Sequence, residues 1–416
     1  MVELSAVNLY ATTMELQWHS AEPSHALLRY GIDSIEENEV SSGEEASTDH
    51  LVRLDLLRPD TEYLFRVELS SDGVLVGSET GSFQTPEVPD ELPDLDIPVN
   101  ELDEPGFILT ALLGEVMAAV VISQEGYYAW WHLEENQDLT IARVRLGPDG
   151  RSVYYNAYDR GERVGADAEY HMRRVEFDDG SVESFDIHGH HHDFVVHDDG
   201  TVGWIWGDMR WVGSEIYRGD AIIETNPSGD ERVIWSTWDH LAFDMSEECN
   251  DSEGTVWTHA NALHYDRESD TYYMSLRELD TVVAIDRSTG GTRWKLGGCE
   301  SDFTTRDNSR TDGQHQILPV DGGLLVYDNR PDEAYSRVVE FALDHDTHVV
   351  RERWTYAAGG AYRTDVLGDV HRLPSGDTLV AWSTAGVMDQ VDVEGELTWQ
   401  AVFGFGTMLG YNTVLE

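Results

Sequence analysis

The sequence predicts an all-β protein in which a six-bladed β-propeller follows a small β-sandwich. Residues 1–86 consist of short stretches of alternating apolar and polar residues, which is typical of sandwich strands. From about residue 99 a unit of four short strands repeats, and stretches with helical periodicity are few. Four of the repeats close with a tryptophan: Trp235, Trp294, Trp354 and Trp399. Four-stranded repeats of this length indicate the blades of a propeller.

The N-terminal segment should contain six strands, at residues 6–10, 14–18, 26–30, 51–54, 62–69 and 82–84. Tyr63 follows a turn at residues 57–61 and is placed like the tyrosine corner of an immunoglobulin-like sandwich. Together with Trp18 and the closing residues 83–86, this pattern resembles a fibronectin type III domain. We therefore assign residues 1–86 to a fibronectin III-like β-sandwich.

A linker is expected next, because residues 86–98 contain four prolines and five carboxylates. Proline interrupts strand ladders, and this composition favours a stiff, extended chain. We place the linker at residues 87–98 and the propeller at residues 99–416. We expect the tail, residues 403–416, to pair with an early strand and close the ring.

The formal net charge of −53 is extreme, and Lys295 is the single lysine of the chain. A surface this acidic argues against binding nucleic-acid phosphate or anionic lipid. Net charge of this kind often serves solubility in salty surroundings. An anionic substrate would therefore have to be attracted by a local cluster of Arg and His.

Neither end of the chain nor its interior carries an apolar run long enough to span a bilayer. The start lacks the pattern of a secretory leader, so we expect a cytoplasmic protein or one whose leader has been removed. Cys249 and Cys299 are the two cysteines, and both a disulfide and a pair of free thiols are compatible with the sequence.

Four predicted innermost strands carry polar residues where a core strand should be apolar: residues 188–194, 257–263, 313–319 and 368–374. Buried imidazole, amide and carboxylate groups cost free energy unless they are paired. Their repetition predicts one polar site assembled from several blades. Side chains alternate along a strand, so His259 should share a face with Asn261, and His191 with Asp193. Aligning the turns that follow places His191 level with His259, and His315 near that level.

Arg277 lies on the second strand of the His259 blade, among apolar neighbours. A guanidinium in such surroundings is costly unless an anion pairs with it. Arg277 is therefore expected to face an anionic partner or ligand.

These residues carry a resemblance to the bacterial arylsulfotransferase family, over roughly residues 100–416. The matching stretches are Trp257-Thr-His-Ala-Asn261, Ser275-Leu-Arg277, Ala284-Ile-Asp-Arg287, Trp294-Lys-Leu-Gly297, His190-His-His-Asp-Phe194 and Gly313-Gln-His-Gln316. The resemblance implies a six-bladed propeller after a sandwich-like domain, which agrees with the architecture predicted above. It also implies transfer of sulfate from an aryl sulfate to a phenol without a nucleotide sulfate donor.

The resemblance assigns roles to residues of this sequence. His315 corresponds to a nucleophile that is transiently sulfated in a ping-pong mechanism, and His191, His259 and Arg277 correspond to catalytic groups. Sulfuryl transfer, like phosphoryl transfer, depends mostly on positioning and on stabilising charge on three equatorial oxygens. Substrate contacts are expected from Asn261, Asp193, His371 and His240.

The resemblance further implies no cofactor and no metal, small-molecule aryl sulfate and phenol as partners, and a periplasmic or secreted location. Homo-oligomerisation stays open. The sequence departs from the family around residues 368–372, where no Lys-Thr pair is present, so acceptor handling is expected to differ there. The spacing of the two cysteines also departs from the family's short disulfide loop.

Two other functions are compatible with the sequence. A non-catalytic propeller could bind sulfated ligands as a scaffold. A metal-dependent hydrolase of sulfate or phosphate esters could use the histidines at 188, 190, 191 and 192, because imidazoles are good metal ligands.

Overall fold

A computed structural model describes residues 2–159, 170–252, 254–305 and 309–415 of the chain. The first six strands form the N-terminal domain: β1 (Val2–Tyr10), β2 (Thr13–Gly31), β3 (Asn38–Ser41), β4 (Ser47–Leu54), β5 (Glu62–Ser71) and β6 (Val74–Gln84). The first half of β2 pairs with β1 and β4, and its second half pairs with β3 and β5. The long strand β2 thus passes from one sheet into the other, and the two sheets enclose a core around Trp18, Leu28 and Phe65.

The tyrosine corner expected from the sequence is present as a contact. The Tyr63 hydroxyl accepts a hydrogen bond from the Arg58 backbone N–H at 2.9 Å. The ring of Tyr63 stacks on Phe83 with centroids 5.3 Å apart. Assignment of the domain to the fibronectin type III class stays a prediction.

After β7 (Leu95–Asn100), the described residues form six sheets in succession, each built mainly from consecutive strands and antiparallel apart from one short parallel pair in the fifth. The first three comprise β8 (Phe107–Leu113), β9 (Ala118–Ser123) and β10 (Tyr127–Leu133); β11 (Thr140–Leu146), β12 (Ser152–Tyr158), β13 (Tyr170–Glu176) and β14 (Val182–Asp186); and β15 (His190–Val196), β16 (Val202–Val212), β17 (Glu215–Thr225) and β18 (Glu231–Ser236). The short helix α1 (Thr237–His240) follows β18.

The fourth sheet comprises β19 (Ala260–Asp266), β20 (Thr271–Leu276), β21 (Thr281–Asp286) and β22 (Thr292–Gly297). The fifth comprises β23 (Thr304–Thr305), β24 (Ile317–Val320), β25 (Gly323–Asp328), β26 (Arg337–Asp344) and β27 (Val349–Tyr356). The sixth comprises β28 (Asp369–Arg372), β29 (Thr378–Trp382), β30 (Val387–Val391) and β31 (Leu397–Phe403). Neighbouring sheets meet along their first strands, so this part of the chain is a β-propeller in which we interpret each sheet as one blade.

The two ends of the propeller segment close the ring. The tail strands β32 (Met408–Leu409) and β33 (Thr413–Leu415) both pair with β8, which confirms the expected pairing of the tail with an early strand. The strand β7 adds a fifth strand to the sixth sheet by pairing with β31. The end of the predicted linker is therefore a strand rather than a spacer. Pro98 is tolerated there because β7 is an edge strand.

The closing tryptophans lie on the last strands of their sheets, as the repeat predicts. Trp235 and Trp399 are completely buried, whereas Trp294 and Trp354 are partly buried. The indole N–H of Trp399 donates to the Gln124 carbonyl of the first sheet at 2.8 Å, and that of Trp235 donates to Thr292 of the fourth sheet at 3.0 Å. These side chains therefore connect neighbouring sheets as well as filling the core.

Cys249 and Cys299 are joined by a disulfide with Cα atoms 5.5 Å apart. The bond ties the segment after α1 to the turn after β22. The first of these segments also pairs through the Asp251 N–H to the Glu278 carbonyl at 3.0 Å. The disulfide therefore holds a covering segment against the fourth sheet.

The middle of the ring is filled by a polar hub, formed by Arg143, Asp193, Gln316, Asp369 and Tyr411. The Arg143 guanidinium donates to both oxygens of Asp193 at 2.7 and 2.8 Å and to the Gln316 amide oxygen at 2.8 Å. The ring of Tyr411 lies 4.0 Å from the guanidinium carbon of Arg143, and Asp369 lies 3.9 Å from one of its nitrogens. All five side chains are buried.

The hub connects all six sheets. Its members come from the second, third, fifth and sixth sheets and from the tail that completes the first. The Leu263 N–H of the fourth sheet donates to Asp193 at 2.8 Å, and the Tyr411 hydroxyl donates to the Asn261 carbonyl at 2.6 Å. A buried charge pair of this kind is stable only when its remaining hydrogen-bonding groups are satisfied, which these contacts accomplish.

Removing one partner of the Arg143–Asp193 pair should destabilise the protein more than removing both. Asp193→Leu leaves a buried guanidinium without a counter-charge, so we expect the free energy of unfolding to fall by about 3–5 kcal/mol. Adding Arg143→Met should recover a large part of that loss. Urea unfolding of the two single variants and the double variant measures the coupling. Additive losses would contradict the pairing.

Candidate active site

The candidate site lies at one end of the hub, where the inner strands begin. Along the third sheet His191 and His192 come directly before Asp193, and along the fifth His315 comes directly before Gln316. Because the inner strands of a propeller run in the same direction, these histidines gather at one mouth of the ring. The hub forms the floor beneath them.

Two of the histidines have left-handed backbone conformations, with φ of 60° at His192 and 49° at His259. Non-glycine residues seldom adopt this conformation, and it is concentrated at functional sites. Strand pairing is irregular in both β15 and β19 near these residues. Strict alternation therefore fails here, and the predicted level of His191 with His259 stays a prediction. The ring of His192, not of His191, meets the ring of His259, with centroids 5.1 Å apart.

His191 instead links a carboxylate to His192. Its Nε2 lies 2.9 Å from an oxygen of Asp220, and its Nδ1 lies 2.8 Å from Nδ1 of His192. The other oxygen of Asp220 accepts hydrogen bonds from the Thr258 hydroxyl and the Ala260 N–H. These donors and His191 outweigh the effect of burial and lower the pKa of Asp220 to about 2, so the carboxylate is ionised.

The protonation of this chain follows from its donors and acceptors. Ionised Asp220 can only accept, so Nε2 of His191 carries the proton. Burial lowers the pKa of His191 and of His192, so both rings are neutral at pH 7. Nδ1 of His191 is then an acceptor, and Nδ1 of His192 must donate to it. The unprotonated nitrogen of His192 is therefore Nε2.

Glu278 connects two predicted site residues. One of its oxygens accepts from Nδ1 of His259 at 2.9 Å and from a terminal nitrogen of Arg277 at 2.7 Å. Although burial raises the pKa of Glu278, His259 and Arg277 lower it below its usual range. Arg277 lies in a short 3-10 turn just after β20 rather than within the strand, and Glu278 is its anionic partner. The Nε of Arg277 is buried without a hydrogen-bond partner among the described residues.

His315 lies close to this pair and is 2% exposed. A methyl group placed on Gly313, two residues before it, would lie 3.8 Å from a terminal nitrogen of Arg277. The Nδ1 of His315 lies 2.7 Å from the amide oxygen of Asn329. Burial, reinforced by the charges of Arg277 and His259, lowers the pKa of His315 to about 3. His315 is thus a neutral imidazole beside a cation.

Asn261 supports the segment that carries His315. Its amide nitrogen donates to the Gln314 carbonyl at 2.8 Å, and its amide oxygen is buried without a partner among the described residues. The Gln314 side chain in turn donates to the Ser275 hydroxyl at 3.1 Å. These contacts fix the backbone immediately before His315 against the fourth sheet.

Three predicted substrate-binding residues lie elsewhere. Asp193 is completely buried in the hub, with both oxygens occupied by arginines and backbone N–H groups. His371 follows Asp369 along β28, contacts it at 3.0 Å, and lies on the far side of the hub from His315. His240 is exposed on α1, where its ring stacks on Trp235 at 5.2 Å. In the described structure, the side chains of these three residues make no contact with the side chains of the site histidines.

The sequence reasoning missed His192, Glu278, Asp220 and Asn329 as parts of the site. For Asn329 the sequence did contain a signal. Asn329 directly follows β25, just as Arg277 directly follows β20, and each of these strands lies next to the innermost strand of its sheet. Glu278 directly follows Arg277 in sequence and is the anion that pairs with its guanidinium. Asp220 lies on a third strand, β17, and no pattern in the sequence points to it.

The four neighbouring histidines do not converge as metal ligands. His188 is exposed, and His190 is buried against the Asn156 amide at 2.8 Å and the Trp204 ring. Among the described residues, the group with ligand atoms close enough to hold an ion consists of Asp251, Asp280 and Asp312. Burial and the charges of the other two raise the pKa of Asp280 to about 8, so this carboxyl retains a proton at neutral pH.

The titration of His315 tests the geometry around its ring. Because Arg277 and burial disfavour its charged form, His315 should stay neutral from pH 5 to 8, and Arg277→Met should raise its pKa. Imidazole NMR of the protein labelled at histidine, with His315→Gln for assignment, measures this. Protonation of His315 near pH 6.5 would contradict the site geometry.

Comparison with known proteins is informative at the level of the family. A family model described as Arylsulfotransferase (ASST) matches residues 173–401, more than half of the chain. No curated protein matches the chain.

Solved structures resemble the chain in overall fold. A protein of unknown function from Bacteroides caccae is 13% identical, with a TM-score of 0.48, over 75% of this chain and 100% of that one. A streptogramin B lyase is 7% identical, with a TM-score of 0.42, over 77% of this chain and 98% of that one. A putative TolB from Agrobacterium tumefaciens is 12% identical, with a TM-score of 0.39, over 75% of this chain and 99% of that one. These likenesses say nothing about the reaction.

Proposed function

The chain belongs to the arylsulfotransferase family, and we propose that it transfers sulfate from an aryl sulfate to a phenol through a sulfated His315. The observation that carries the proposal is a buried, neutral imidazole beside a guanidinium. A neutral imidazole has a lone pair with which to attack sulfur, and the guanidinium supplies a planar fork of donors for sulfate oxygens.

In the first half of the reaction, Nε2 of His315 attacks the sulfur of the aryl sulfate. The N–S bond forms as the bond from sulfur to the aryl oxygen breaks, and its electron pair leaves on that oxygen. Arg277 can offer to the sulfate oxygens a buried N–H that has no partner in the described part of the chain. When His259 carries a proton on both nitrogens, with Nδ1 bonded to Glu278, its Nε2 can deliver a proton to the departing phenolate, and exchange with solvent restores that proton before the next turnover.

In the second half, the oxygen of an incoming phenol attacks the same sulfur. The electron pair of the N–S bond returns to Nε2 of His315, and the phenol gives up its proton. His192 fits the role of base better than His191, because Nε2 of His192 is its unprotonated nitrogen whereas Nε2 of His191 is bonded to Asp220. Asp220 and His191 stabilise the charge that His192 acquires.

Asn261 and Asp193 take different roles in this proposal from those expected. Asn261 positions the backbone before His315, and Asp193 holds the hub beneath the site. We leave His371 and His240 out of substrate binding, because both lie away from the mouth that holds His315.

The surroundings of the site are consistent with small, anionic substrates. Arg277 and Arg218 place positive charge at the mouth, and Arg218 contributes to the low pKa of His192. The remainder of the chain is strongly acidic and so disfavours polyanions such as nucleic acid. We propose that the substrates are a small aryl sulfate and a small phenol.

Location is proposed on similar grounds. Among the helices in the described part of the chain, none is both long and apolar enough to cross a bilayer. The Cys249–Cys299 disulfide favours an oxidising compartment, so we propose that the protein acts in the periplasm or outside the cell.

Turnover of p-nitrophenyl sulfate in the presence of phenol tests the proposed function. Wild type should release nitrophenol with ping-pong kinetics, and His315→Ala should release none above background because no other group can accept the sulfate. His240→Ala is the matched control, since that histidine is exposed and outside the site. Equal rates for wild type and His315→Ala would overturn the proposal.

The role of His192 can be separated from that of His315 by varying the acceptor. His192→Ala should lower transfer to phenol by about 10²–10⁴-fold, the usual contribution of a general base. An acidic phenol that is already ionised at pH 7 needs no base, so the loss should shrink strongly with such an acceptor. The ratio of transfer rates for the two acceptors in wild type and variant measures this. An equal loss with both acceptors would assign His192 a structural role.

A further inference from the structure

The side chain of Asn329 is held in one orientation. Its amide nitrogen donates one hydrogen to the Thr364 carbonyl at 2.7 Å and the other to the Leu367 carbonyl at 2.8 Å. The Ser336 hydroxyl holds the backbone nearby: it donates to the backbone carbonyl of Asn329 at 2.8 Å and accepts from the backbone N–H of Thr364 at 2.9 Å. Asn329, Ser336 and Thr364 are all completely buried. A flipped amide would place its oxygen against two carbonyl oxygens, so the contacts fix the orientation.

This orientation determines the tautomer of His315. The amide oxygen of Asn329, 2.7 Å from Nδ1 of His315, is an acceptor only. Nδ1 must therefore carry the proton of the neutral imidazole. The lone pair is left on Nε2, the nitrogen that the proposed reaction uses.

Three of the four site histidines, His191, His259 and His315, differ in the charge of their partners. Nε2 of His191 lies 2.9 Å from Asp220 and Nδ1 of His259 lies 2.9 Å from Glu278, both carboxylates. His315 is bonded to a neutral amide, and the charged or titratable groups that face it are Arg277, His259 and His192. No carboxylate bonds to the His315 ring among the described residues.

A carboxylate stabilises an imidazolium far more than an amide does. His259 is thus suited to carry a positive charge, and His191 with Asp220 is suited to stabilise one on His192, to which His191 is hydrogen-bonded. A ring sulfated on Nε2 and still protonated on Nδ1 is also cationic. A carboxylate beside it would stabilise that intermediate and slow the return of the electron pair to nitrogen.

We propose that Asn329 is a positioning residue, which presents Nε2 of His315 as the nucleophile and, by being neutral, keeps the sulfated ring reactive. The inference rests on the proposed function. During sulfation the Nδ1 proton stays in its bond to Asn329 while the Nε2 lone pair forms the N–S bond. During transfer the N–S pair returns to Nε2 and the Nδ1 proton again stays in place.

Asn329→Asp is the most direct test, because it adds a charge with little change in size; its second oxygen then faces the Thr364 and Leu367 carbonyls, so the folded state of the variant is checked by circular dichroism first. The carboxylate should raise the pKa of His315, so sulfation should become about tenfold slower at pH 5 than at pH 8, whereas wild type should vary little over that range. Transfer from the sulfated enzyme to phenol should also slow by about tenfold. In rapid-mixing measurements, the burst of nitrophenol gives the rate of sulfation. The loss of sulfated enzyme on adding phenol gives the rate of transfer.

Two further variants make the test specific. Asn329→Ser keeps a neutral oxygen, although a shorter one, and should retain the pH-independence of wild type. Asn226→Asp adds the same charge in an exposed turn after β17 and should behave as wild type. Matching pH profiles for Asn329→Asp and Asn226→Asp would overturn the proposal.

Nitrogen NMR of histidine in the ligand-free wild type provides a readout that needs neither turnover nor a stable variant. The proposal predicts a proton on Nδ1 of His315 and none on Nε2, and a proton on Nε2 overturns it even if no variant folds. Failure of wild type to form a sulfated intermediate would instead reject the proposed function. The two failures are therefore distinguishable.

Discussion

The buried pair of Arg143 and Asp193 is the interaction on which the rest of the structure depends. A guanidinium and a carboxylate are expensive to bury, and here each is satisfied by groups from other sheets. The pair forces the inner strands into a common register at the axis. It also marks the middle of the ring, so that residues before the hub in these strands lie toward one mouth and residues after it lie toward the other.

The site is the consequence of that register. The third and fifth sheets each contribute a histidine immediately before their hub residue, and left-handed backbone at His192 and His259 accompanies the contact between these two rings. Burial then makes the imidazoles of His192 and His315 neutral, and the partners of each site histidine decide what it can do. His191 and His259 are hydrogen-bonded to carboxylates, whereas His315 is hydrogen-bonded to an amide.

Much of this was predictable from the sequence, for physical reasons. Repetition of the polar-tipped strands predicted a shared site, and the cost of burying Arg277 predicted an anionic partner, which is Glu278. Alternation along a strand could not show that His192 contacts His259, because it assumes regular pleating and the strand pairing is irregular near the site. For His371, sequence proximity to Asp369 does not show on which side of the hub the side chain lies. Asp220 depends on a contact between β17 and two inner strands that no local pattern encodes.

The central claim is that sulfate passes through one nitrogen of one histidine. It is tested most directly by treating the protein with an aryl sulfate in the absence of phenol, quenching at high pH, and locating the added SO₃ by mass spectrometry of peptides. The account predicts a single sulfated site at His315 that disappears when phenol is added before quenching. A sulfated residue other than His315, or turnover with no sulfated residue, would contradict it.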